Sequence, residues 1–80
     1  MKRKVIIAGN FTQAQNYCYE NHLAPPSVII PLEPHHLLGL RDCEVVFCGQ
    51  WYKNPLSRDP YLKEIGTFQY IDEAPRAGRL

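Results

Sequence analysis

An α/β fold built on a parallel sheet of strand order 2-1-3, in three layers with helices on both faces, follows from three observations. Apolar, β-branched runs occur three times, as VIIA, SVII and EVVFC. Helix-start signals separate or follow them, at Thr12, at Glu33-Pro34 and at Asp59-Pro60. Two four-residue endings also echo each other. AGNF at 8–11 and CGQW at 48–51 each read small residue, glycine, carboxamide, aromatic.

The first strand is KVIIA at 4–8, a continuous apolar run of the kind buried on both faces, and Gly9 ends it. Thr12 followed by Gln15 fits a capping box, in which the hydroxyl takes an early amide and the carboxamide reaches back. A helix over 13–22 follows, carrying Ala14, Tyr17, Cys18 and Asn21 at helical spacing, and Pro25-Pro26 stops any continuation. The second strand is SVII at 27–30. Pro31 has no amide proton and limits it.

Glu33-Pro34 opens a short helix over 35–40 with proline at the tolerated first position. The third strand is EVVFC at 44–48. Asp59-Pro60 repeats the start signal, which predicts a last helix over 60–65. TFQYI at 67–71 alternates, and fits either a fourth strand or a continuation of that helix. Residues 1–72 then make one domain, and 73–80, short of apolar residues and holding Pro75 and Gly78, read as a mobile tail.

Strand and helix alternate with short connections, which implies right-handed crossovers and a first strand in the sheet centre. The carboxyl ends of strands 1 and 3 then lie side by side, where connections diverge to opposite faces. AGNF and CGQW become two lips of one crevice, and the layout is half of a Rossmann-like domain. The chain is similar to small Rossmann-like proteins encoded by actinobacterial viruses, in which a VIIAGN-type start and an LxGLR segment recur. Those stand here at 5–10 and 38–41. The resemblance spans 4–52 and implies the fold and a viral accessory role, but no established activity.

Composition narrows the function classes. A net charge of +1 predicts no strong nonspecific binding to nucleic acid or anionic lipid. No apolar run reaches the length of about 18 residues that a membrane span needs. Three cysteines cannot complete a disulfide framework, and two of them flank an apolar strand, so a reducing, cytoplasmic setting is expected. An 80-residue chain with Tyr17, Tyr19, Tyr61 and Tyr70 leaves its sheet thinly covered, which predicts a homo-oligomer or a bound partner protein.

The chemistry-bearing motifs are few. A glycine turn entering a helix suits an anion, yet AGNFTQA lacks the further glycines of a dinucleotide loop, and no GxxxxGK[ST] occurs. His35 and His36 are adjacent, so on a helix they point about 100° apart and poorly share one ion. Cys48 has no orienting partner in the sequence and reads as core. No catalytic set, metal site or cofactor is therefore predicted. The candidate binding residues are Gly9, Asn10, Phe11 and Thr12 on one lip and Gln50, Trp51 and Tyr52 on the other, with Phe11 expected to face Trp51 across the crevice. Two readings result: a non-enzymatic protein that works through protein contacts, against a host protein if it is viral, or a binder of a nucleotide or phosphate compound in that crevice.

Overall fold

The computed structural model describes residues 3–74. Four parallel strands form one sheet: β1 (Arg3–Ile7), β2 (Val28–Ile29), β3 (Cys43–Phe47) and β4 (Gly66–Tyr70), in the spatial order β2-β1-β3-β4. The class is α/β, and the central strands are the continuous apolar runs because both of their faces are covered. Val5 pairs with Val45 and Ile7 with Phe47. These four join Cys43, Leu37, Leu56, Leu62 and Ile65 in one core. Ile6, Ala8, Val46 and Cys48 point the other way, against Ala14, Cys18 and Val28. Each large apolar side chain so buried contributes about 1.5–3 kcal/mol.

The helix α1 (Phe11–Glu20) starts earlier than its predicted capping signal. Asn10, not Thr12, is the N-cap, and its side-chain oxygen accepts from the Gln13 amide at 2.8 Å. Asn10 has the extended backbone that a cap needs (φ −153°, ψ 174°), because the chain is still leaving β1 at that point. Helix α1 ends at Glu20 rather than His22. His22 takes a left-handed conformation (φ 56°), and the Leu23 amide folds back to the Cys18 carbonyl at 2.8 Å.

Other elements are shorter than their signals suggest. The expected helix over 35–40 is a 3-10 turn, Pro34–Leu37, which buries Leu37. The Asp59-Pro60 signal leads to a single turn, α2 (Leu62–Ile65), preceded by 3-10 turns at Trp51–Lys53 and Pro55–Arg58 that the pattern did not predict. After α2 the chain pairs along β3, so 67–71 belongs to a strand rather than to a continued helix. The Ile71 amide extends that ladder, donating to the Phe47 carbonyl at 2.8 Å. Strand formation satisfies an edge that β3 would otherwise leave open. Of the tail predicted over 73–80, residues 75–80 lie outside the described residues. Among the described residues, no helix is long and apolar enough to cross a membrane.

Candidate functional site at the strand ends

β1 and β3 are adjacent and parallel, so their carboxyl ends do lie side by side. A side chain from α1 joins them. Gln13 Oε1 accepts from the Gly9 amide at 3.0 Å and from the Gln50 amide at 2.9 Å. Gln13 Nε2 donates to Gln50 Oε1 at 3.2 Å. One neutral carboxamide thus ties both lips together, its oxygen taking the place that a phosphate oxygen takes at a glycine turn.

The two glycines make room for it. A Cβ on Gly9 would sit 2.8 Å from Gln13 Oε1, and one on Gly49 would sit 2.5 Å from the same atom. Gly49 also has φ +59°, which other residues adopt at a cost. The repeated ending therefore serves a close internal approach.

Neighbouring donors are engaged as well. The Gly49 amide donates to Asp72 Oδ2 at 2.6 Å. Asn54 Nδ2 donates to the Ala8 carbonyl at 2.8 Å, and Asn54 Oδ1 accepts from the Leu56 amide at 2.9 Å. The space left beside Asn10, Phe11, Ile30 and Asn54 is a cavity of about 190 Å³. Ligand pockets usually run from about 300 Å³ upward.

The predicted site residues do not converge. Gly9, Asn10 and Gln50 share the hydrogen-bonded hub, and Thr12 is exposed on the first turn of α1. Phe11, 45% exposed, borders the small cavity on the α1 face. Trp51 lies against the opposite core, so the expected facing of Phe11 and Trp51 does not occur. The 3-10 turn carries the indole back over the end of β3. Its ring centroid lies 5.1 Å from Phe47 and 5.2 Å from Tyr70, and its Nε1 donates to the Asp72 carbonyl at 2.6 Å. Tyr52, half-buried, meets Trp51 edge-on at 5.8 Å.

Phe68 and Tyr70, which the sequence reading left out of the site, complete an aromatic group with Phe47, Trp51 and Tyr52. Tyr70 stacks on Phe47 at 4.6 Å and Phe68 meets it edge-on at 5.3 Å. Phe68 is 38% and Tyr70 54% exposed, on a strand whose outer edge pairs with nothing among the described residues. The alternation of TFQYI was their one sequence signal. Gln13, Asn54 and Asp72 were also missed, and only Asn54-Pro55 had a local signature, that of a turn start.

Acid–base and nucleophilic chemistry finds little here. Burial pushes the Cys48 thiol up to about 11, with the Asp72 carboxylate and Cys18 adding to the effect. Burial likewise raises Cys18. Neither thiol is set up as a thiolate nucleophile at neutral pH.

The histidines depart from expectation. Their rings are 4.4 Å apart, and Glu33, His35 and His36 bring ligand atoms within 4.8 Å of one another, all of them exposed. His36 Nδ1 accepts from the Leu32 and Glu33 amides at 3.1 and 3.3 Å, so a metal ion taking that nitrogen would displace both. The cluster is spatially able to share an ion, but one of its lone pairs is already spent on the backbone. The chain matches no family model, no curated protein and no solved structure.

Proposed function

We propose that this chain is a non-enzymatic binding protein that acts through protein contacts, as a cytoplasmic, Rossmann-like accessory protein would. The observation that carries this reading is the open margin of β4, where Phe68 and Tyr70 stand exposed beside an unpaired strand edge. Aromatic side chains held on a rigid strand offer large contact area at low entropic cost, and the free edge adds backbone donors and acceptors. The contact surface is thereby assigned to β4 and the aromatic group, with Trp51 as its support, rather than to the two lips.

A nucleotide or phosphate binder is the weaker reading, because the crevice satisfies itself. The amides of Gly9, Gly49 and Gln50 already donate to Gln13 or Asp72, and a phosphate would have to displace both side chains. A host protein as the partner follows from the viral resemblance alone.

A photo-crosslinking amino acid at Tyr70, in the full chain expressed in its native setting, tests the reading. We expect protein adducts from Tyr70 and none from the same probe at Asn10. We also expect no rise in Tm with nucleotides or inorganic phosphate. Absence of adducts at Tyr70, or a clear phosphate- or nucleotide-dependent stabilisation, would refute the proposal.

A further inference from the structure

The partner at the β4 margin, on the reading just given, is defined by the strand itself. In a parallel ladder, alternate residues turn their amide and carbonyl toward the neighbouring strand. Ile71 donates to β3, so Gln69 and Thr67 also point inward. Phe68 and Tyr70 then present their amide and carbonyl groups outward. Their side chains share the face that holds Phe47 and Trp51. One strand therefore offers backbone pairing and an aromatic surface together.

We infer that a second copy of this chain occupies this margin, β4 pairing antiparallel with β4 about a two-fold axis at Phe68. Three features select this occupant. The strand GTFQY carries no charge, so a copy meets it without like charges opposed, and no lysine or proline guards the edge. The register places Gly66 of each copy opposite Tyr70 of the other, and an aromatic ring across an edge glycine covers the backbone it leaves bare. Direction follows from the flanks. Among the described residues, Asp72 and Glu73 follow the strand while Lys63 and Glu64 precede it. Antiparallel pairing keeps the two acidic ends apart, whereas parallel pairing would bring them together.

Pairing joins two four-stranded sheets into one continuous sheet and buries the exposed edge of each. Both aromatic groups come to lie on the same side of it, with the two Phe68 side chains as cross-strand neighbours. That isologous contact closes on itself and leaves no further β4 edge to extend.

Sedimentation and cross-linking of the full chain test the pairing. The wild type should sediment at twice the chain mass of 9.2 kDa. Phe68→Lys, which sets like charges face to face at the axis, should sediment as a single chain with an unchanged far-UV spectrum. Directly opposed, hydrogen-bonded residues place Cα atoms about 5.5 Å apart, within disulfide reach. Phe68→Cys should thus close a disulfide with its own copy under mild oxidation, whereas Tyr19→Cys, at an 84% exposed position on α1, should not.

A wild type of single-chain mass overturns the inference, as does a dimer that survives Phe68→Lys in folded form. Should that variant fail to fold, the two cysteine variants decide, and equal cross-linking from both overturns it. The two proposals fail separately. A single-chain wild type with Tyr70 adducts to another protein removes self-pairing and keeps the protein-contact reading. A dimer stabilised by nucleotide does the reverse.

Discussion

Gln13 and Gln50 stand 37 residues apart in the chain, yet the Gln13 carboxamide both accepts the Gln50 amide and donates to the Gln50 side chain. The helix that follows β1 is thereby fastened to the loop that follows β3. With Gly9 as the third partner, this hub closes the crevice between the two central strands from within.

Removing the hub should loosen the strand ends without destroying the sheet. Gln13→Ala loses three side-chain hydrogen bonds, each worth about 0.5–1.5 kcal/mol net. Since the freed amides of this exposed region can turn to water, we expect a total cost of about 1–2 kcal/mol by urea denaturation. A null effect would mean that the lips hold together without Gln13.

Gly49→Ala should cost more than a typical surface substitution, because φ is +59° and the added Cβ would press on Gln13 Oε1. The left-handed conformation alone costs about 1–2 kcal/mol. In a Gln13→Ala background the steric part disappears, so the same substitution should be milder there. Additive losses in this double-mutant cycle would show that only the backbone conformation matters.

Trp51→Ala should destabilise the protein by about 2–4 kcal/mol, in the lower range for aromatic truncations because the ring is half-buried. The loss is then comparable with that of Val46→Ala, whose side chain is fully buried between the sheet and α1. The contrary expectation, that a loop tryptophan matters for binding and little for folding, treats Trp51 as free of the core. Its contacts with Phe47, Tyr70 and the Asp72 carbonyl argue for a supporting role. Denaturation of both variants, followed by tryptophan fluorescence and circular dichroism respectively, measures the comparison.

A chain ending at Asp72 should fold, and one ending at Tyr70 should be clearly weaker. The shorter chain loses the Ile71 ladder bond, the acceptor for the Gly49 amide and the acceptor for Trp51 Nε1. Together these are worth about 2–4 kcal/mol at the usual value of a hydrogen bond. Equal midpoints for the two truncations would exclude a structural role for Asp72.

The Cys48 thiol has a pH consequence whose sign is set by burial. Its value in the fold is raised to about 11, so the folded state holds the proton more tightly than the unfolded chain does. Its contribution is complete below the ordinary thiol value and is lost as pH rises from there toward 11. Cys48→Ala should flatten the alkaline fall in stability over that window. Identical alkaline profiles for the two proteins would show that Cys48 does not drive it.

The strands β1 and β3 were legible because Val5, Ile6 and Ile7, like Val45, Val46 and Phe47, are apolar without alternation. The parallel arrangement and the central place of β1 followed from the alternation of elements, as did the neighbouring glycine endings. Starts marked by a proline after an acidic residue were also read correctly, since the signal and its turn lie within a few residues.

Everything that depended on distant partners was decided by tertiary structure. Asn10 and Thr12 are both good caps by type, and the exit of the chain from β1 selected Asn10. TFQYI could be strand or helix until the open edge of β3 supplied a ladder. The side of the sheet that Trp51 would take depended on Phe47, Tyr70 and Asp72, and Asp72 lies 21 residues away in the chain. Local sequence registers propensity over one or two turns, whereas hydrogen-bond satisfaction and burial are settled by groups that only folding brings together.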